Sequence, residues 1–254
     1  MVVGTSRVGL VLDDVLNSGF DTYHPVGRST SHPNLIQVWK IDTGSKRSAN
    51  VIYFIGLIAS GPVWSLAWSP DSCSESHLGR AAVVCGDGLC RIIDFPSSSA
   101  VPVELHGNHF PNDLPLFEEQ SVCRCTLKMP ALPGSAEIVQ ITCADWVTLD
   151  RVVCGTSGGH VALFTLLPVV NSCLPPNSIS YDLSDYTPNL PSAVCIRSIT
   201  VCPFARELVA SAGNDGFVKF WDIRLLPVTK PLYKFYSRNG PQVGWLYDVR
   251  TSLL

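Results

Sequence analysis

The sequence predicts an all-β protein assembled from repeated four-stranded antiparallel meanders. Three observations carry this reading. First, three segments align on a glycine-containing turn between two apolar strands: Ala81–Phe95 (AAVVCGDGLCRIIDF), Arg151–Leu166 (RVVCGTSGGHVALFTL) and Glu207–Ile223 (ELVASAGNDGFVKFWDI). Second, 19 glycines and 19 prolines are spread along 254 residues, which suits short elements joined by turns and disfavours long helices. Third, hydrophobic residues reach 46% while charged ones stop at 15%, so the chain can bury a core and is not disordered by composition.

Each element follows from that frame. Residues 1–33 form a weakly patterned lead-in with one short apolar stretch, Val8–Leu12. Asn34–Asp42 (NLIQVWKID) matches the second strand of the hairpins and sets Trp39 where Trp221 falls. An outer strand over 50–58 completes this partial unit. Val63–Pro70 and Cys195–Pro203 match each other as first strands, with Ser65–Pro70 aligned on Ser198–Pro203. Ile138–Trp146 fills the same slot less cleanly. Further outer strands are expected at 121–129, 178–183 and 231–237, and Gly240–Arg250 echoes a first strand. The expected units are therefore 34–58, 61–129, 138–183, 193–237 and the start of another over 240–250, within a repeat domain spanning 34–254. Gly88, Gly159 and Gly216 mark the turns, where φ > 0 is needed. They lie 71 and 57 residues apart, against about 40–45 for a compact four-stranded repeat. The excess falls in 71–80, 96–120 and 167–192; the last two exceed ordinary loops, which predicts functional or disordered segments.

Several classes of function fall away. No stretch approaches the ~18 apolar residues of a membrane span; the run Val51–Ala59 reads as a buried strand. The start has no basic leader and no long apolar run, and no Asn-x-Ser/Thr sequon occurs. The ten cysteines are accordingly expected as reduced thiols of a nuclear or cytoplasmic protein, mostly buried in apolar runs such as those of Cys85, Cys143, Cys154 and Cys195.

The motifs that suggest chemistry have structural readings that fit better. Gly155-Thr156-Ser157-Gly158-Gly159 has the G-x-S-x-G form of a hydrolase elbow, yet an elbow needs a helix after the serine and an expected strand follows here. His160 reads as an exposed residue at the start of that strand. His106 and His109 have metal-pair spacing with no further ligand to complete a site. Cys123 and Cys125 share one strand face and lack a second pair, which points to packing. The sequence therefore predicts no enzyme, no metal, no cofactor and no small-molecule substrate.

The third hairpin carries a resemblance. ASAGNDG followed by FVKFWDIR resembles the repeat of the WD-repeat β-propellers, through Ser211, Asp215, Gly216, Trp221 and Asp222. Asp87 and Gly88 match the turn of the first hairpin, while Gly158 stands in place of the acid before Gly159 in the second. The Gly-His pair that opens such repeats is missing, so the resemblance implies a partial propeller relying more on packing than on the family's polar network. LIQVWKI, the opening GPVWSLAWSP and the hairpin VVCGDGLCRIID are similar to the WD-repeat subunits of transcription factor IIIC. That likeness implies a nuclear scaffold within a DNA-bound complex that recruits RNA polymerase III, with other protein subunits as partners. Closing a propeller takes about 4–8 blades. A shorter run of blades would expose an apolar face, which predicts a further segment or a partner on the open side.

Binding features concentrate late in the chain. From Lys219 onward there are six basic residues, Lys219, Arg224, Lys230, Lys234, Arg238 and Arg250, against Asp222 and Asp248, and Tyr233, Phe235 and Tyr236 interleave with them. Arg224, Lys230, Lys234 and Arg238 are the candidate partner-binding set. They read either as protection of an outer strand against edge pairing or as indirect or weak contact with DNA or an acidic partner. Trp221–Arg224, with Leu208–Ser211 and Asp215, also resembles the box by which some WD-repeat proteins dock on a cullin-type ubiquitin ligase; a local ion pair of Arg224 is the competing reading. The acidic stretch Asp113–Glu119 around Phe117 reads as a solvated loop or a partner-binding peptide.

Overall fold

A computed structural model describes residues 33–42, 48–70, 77–97, 114–130, 139–166, 172–174, 176–180, 195–227 and 230–237. Its strands form four sheets. The first holds β1 (Asn34–Asp42) and β2 (Ser48–Leu57), antiparallel, with β6 (Leu116–Glu118) added in parallel on β2. The second runs β3 (Val63–Trp68), β4 (His77–Cys85), β5 (Cys90–Pro96) and β7 (Cys123–Leu127), all antiparallel, with β11 (Ser172–Leu174) in parallel on β7. The third comprises β8 (Ile141–Thr148), β9 (Arg151–Thr156), β10 (Val161–Thr165) and β12 (Ser178–Ser180). The fourth comprises β13 (Ile196–Val201), β14 (Leu208–Gly213), β15 (Phe217–Asp222) and β16 (Tyr233–Tyr236). One helical turn, α1 (Glu119–Val122), leads into β7, and a short 3-10 turn follows β15 at Ile223–Leu225.

The three expected hairpins are β4–β5, β9–β10 and β14–β15. Their turn glycines take φ of 80°, 77° and 77° at Gly88, Gly159 and Gly216, a left-handed backbone that a side chain strains. Space forbids one as well at the ends of the series: a Cβ on Gly88 would come within 2.6 Å of Gln140, and one on Gly216 within 2.7 Å of the Tyr236 ring.

Alternation then decides how the sheets stack. In β4, Ala81, Val83 and Cys85 enter one cluster with Ile36, Tyr53 and Ile55 of the first sheet, while Ala82 and Val84 enter another with Ile141, Trp146 and Phe164 of the third. In β10, Ala162 and Phe164 face the second sheet, and Val161 and Leu163 face the fourth beside Val209 and Trp221. The period of two thus gives each inner sheet two apolar faces, and three cores lie between four sheets. The first strands β3, β8 and β13 are neighbours in the stack. This serial stacking of antiparallel sheets, open at its ends among the described residues, is the architecture of a partial propeller.

Two departures from the expected meander share one cause. The insertion before β7 sends β6 back to the outer edge of the first sheet, and the insertion before β12 sends β11 back to the outer edge of the second. The described parts of both insertions are therefore cross-sheet latches. The stretch around Phe117 is neither a solvated loop nor a free peptide: Phe117 is buried against Tyr53, with ring centroids 5.1 Å apart. The lead-in 1–32, His106, His109, Arg238 and 240–250 lie outside the described residues.

Candidate functional site

The hairpin turns of the second and fourth sheets each carry an ion pair. Asp215 accepts the backbone N–H of Phe217 at 3.0 Å and the Lys219 ammonium at 2.7 Å. Asp87 accepts the N–H of Leu89 at 3.1 Å and two bonds from the Arg91 guanidinium at 2.6 and 3.1 Å. Each acid precedes its base by four residues, which places the pair side by side across a tight turn. In the third sheet Gly158 replaces the acid and Ala162 replaces the base, so neither charge is left alone. Arg91 also binds Glu119 of α1 and is nearly buried. Burial alone would lower its pKa, but the bonds it donates to Asp87 and Glu119 outweigh that and hold it charged. The Ser–Trp bond of the resembled repeat is present: the Trp221 indole donates to Ser211 Oγ at 2.8 Å, inside the core. A polar network thus exists, built on Lys219 and Arg91 with their turn acids. Trp39 is half-buried and donates to Gln37 Oε1 at 3.1 Å.

The basic residues of the fourth sheet are not one patch. Lys219 is nearly buried and tied to Asp215. Lys234 lies directly opposite Lys219 on β16 and sets its ammonium 5.2 Å from the centre of the Phe217 ring. Arg224 is exposed, yet its guanidinium turns back on Asp222 at 2.6–3.2 Å, and that bonding lowers the Asp222 pKa. Asp222 also accepts the Arg224 backbone N–H at 2.9 Å, which caps the 3-10 turn. Lys230 is exposed.

The chemistry-bearing motifs resolve into structure. Ser157 Oγ accepts the N–H of Gln140 at 3.0 Å, and β10 follows it where an elbow needs a helix. His160 is half-buried, not exposed; its Nδ1 lies 3.3 Å from Thr156 Oγ1, and burial lowers its pKa. Cys125 is in the core and Cys123 is half-buried with Sγ 3.4 Å from the Cys125 carbonyl. Burial raises both thiols, Cys125 to about 12. Among the described residues no three His, Cys, Asp or Glu side chains come together as a metal site would require.

Residues the motif reading passed over do much of the joining. Asp145 accepts the N–H of Trp146 at 2.8 Å and that of Val201, in the next sheet, at 2.7 Å. Trp146 donates its indole N–H to the Ala67 carbonyl of the preceding sheet at 2.9 Å. Thr142 Oγ1 donates across the third and fourth sheets toward the Ile196 carbonyl at 2.5 Å. The acid and the tryptophan were visible in IVQITCADW; their targets were not, because these lie 56 and 79 residues away.

These features define a class: an all-β stack of antiparallel sheets that offers loops, edges and rims for contact. No protein-family model matches the chain. It is similar to general transcription factor 3C polypeptide 2 of Pongo abelii, 25% identical over 246 residues, and to the Homo sapiens protein of the same name at 24%. Both alignments cover 88% of this chain and 26% of the relative. The transcription factor tau subunit sfc6 of Schizosaccharomyces pombe is 29% identical over 153 residues, covering 58% of this chain and 22% of that protein. The chain thus spans about a quarter of the length of the curated relatives it matches.

Proposed function

We propose that this chain is a non-enzymatic protein–protein interaction scaffold, the WD-repeat propeller portion of a transcription factor IIIC-like subunit that serves RNA polymerase III initiation in the nucleus. The observation that carries the reading is similarity over 88% of the chain to general transcription factor 3C polypeptide 2. The sheet stack supports it physically, since rigid sheets hold their connecting loops at fixed rims where partners dock. In this reading the repeat domain runs over 34–254, and its partners are other subunits of a multiprotein complex. Any DNA contact is weak or indirect, because Lys219, Lys234 and Arg224 already have partners within the fourth sheet.

Affinity purification with mass spectrometry tests this. Recovery of transcription factor IIIC subunits or RNA polymerase III is expected. Recovery of cullin adaptors in their place, lost on Arg224→Ala, would overturn it in favour of a ubiquitin-ligase receptor. For the basic segment, a near-flat dependence of DNA affinity on salt is expected; a steep log–log slope would restore direct phosphate contact.

A further inference from the structure

A cavity of about 280 Å³ opens at the rim where the first strands of the second, third and fourth sheets end. Its walls include Trp68 and Pro70 after β3, Asp145 and Trp146 in β8, and Pro203 and Arg206 after β13. No single sheet makes it. The floor is rigid, because Asp145 ties the third sheet to the Val201 N–H and Trp146 ties it to the Ala67 carbonyl. Both Asp145 oxygens already accept backbone N–H groups, at 2.8 and 2.7 Å, so its carboxylate is engaged in holding sheets together.

The open parts have a different chemistry. Trp68 is 38% exposed although its ring is steadied against Phe95 at 4.8 Å. The two prolines offer apolar surface and no N–H. Phe204, in the same loop as Pro203 and Arg206, is 82% exposed. Arg206 is the exposed cation of the rim. We infer that this cavity docks an extended acidic–apolar peptide of a partner protein, with one aliphatic or aromatic side chain against the open face of Trp68 and a neighbouring carboxylate on Arg206.

Tryptophan and arginine in a pre-formed recess are the residue types that anchor protein interfaces, and a fixed rim spares the ordering cost of binding. One guanidinium pairs a carboxylate well. It serves a phosphodiester strand poorly, since that strand brings successive charges and the lining of this recess offers one cation. For the class of partner, the inference rests on the scaffold reading.

The test uses the full chain and its tryptophan fluorescence. The probes are an acetylated peptide with one Asp among Leu and Phe residues, its Lys-for-Asp counterpart, and oligothymidylate. Saturable binding of the acidic peptide is expected, weakened about tenfold by Trp68→Ala and by Arg206→Glu. Arg206→Glu is a surface change and keeps the test decisive if Trp68→Ala disturbs folding. The inference is overturned by no binding of the acidic peptide, by equal binding of the Lys peptide, by preferential binding of oligothymidylate, or by unchanged affinity in Arg206→Glu. Failure here with co-purification intact removes this site alone; loss of the co-purifying transcription factors removes the scaffold reading.

Discussion

Two tryptophans in the second and fourth sheets show how one hydrogen bond sets the cost of a substitution. Trp221 donates to Ser211, and both are buried. Trp221→Phe removes the donor and strands the hydroxyl, which should cost about 1–3 kcal/mol by urea denaturation. The buried Trp64 Nε1 has no hydrogen-bond partner. Trp64→Phe should therefore cost distinctly less, because no bond is lost and a buried donor is removed. A larger loss at Trp64 than at Trp221 would refute the assignment. His160 gives a pH signature. Burial lowers its pKa below the ordinary 6.5. As pH falls through that value the unfolded chain gains a proton that the folded one resists, so stability drops. The urea midpoint should fall between about pH 7.5 and 5.5, and His160→Gln should flatten this part of the profile.

At the scale of elements, charge and strand pairing act together at β6 and α1. Leu116–Glu118 adds three residues of parallel ladder to β2, a weak attachment by itself. Phe117 inserts beside Tyr53, Val122 is buried, and Glu119 reaches Arg91 in the second sheet. Phe117→Ala should cost about 3 kcal/mol, since it empties a core between two sheets. Hydrogen exchange should quicken first in β2 and β6, whereas uniform quickening would argue against a latch. Nothing local in PNDLPLFEEQ foretells this role. A three-residue parallel strand gains its register from an edge far away in the chain, and backbone pairing leaves little mark on side-chain pattern. The acid–base pairs were more legible: Asp87 with Arg91 and Asp215 with Lys219 stand four residues apart around a turn glycine. Counting Lys219 toward a basic surface overlooked the acid that neutralises it.

Across the whole molecule, the sheets at the ends of the stack differ from those within it. The second and third sheets spend both faces on cores. The fourth buries Val209 and Trp221 on one face, while its other face carries Phe220, Tyr233 and Phe235 in an aromatic cluster. Tyr233 is 63% and Phe235 43% exposed, too much for a core and too apolar for an ordinary surface. Replacing both with serine should reduce concentration-dependent light scattering and shift stability by less than about 1 kcal/mol, as surface changes do. Unchanged scattering with a large loss of stability would mean that the face is an internal core.

The sequence by itself determined the strands other than β6 and β11, the three hairpins and their glycines. Alternation of period two and the demand for φ > 0 are local properties, readable within a dozen residues. It also held the resemblance that the relatives bear out in part, through the TFIIIC-like pattern of LIQVWKI and GPVWSLAWSP. Only the tertiary structure decided which sheet each insertion returns to, which bases are already neutralised, and that Trp68, Trp146 and Arg206 meet at one recess. Those outcomes depend on contacts between residues dozens of positions apart, and chain spacing does not encode such distances until the sheets have stacked.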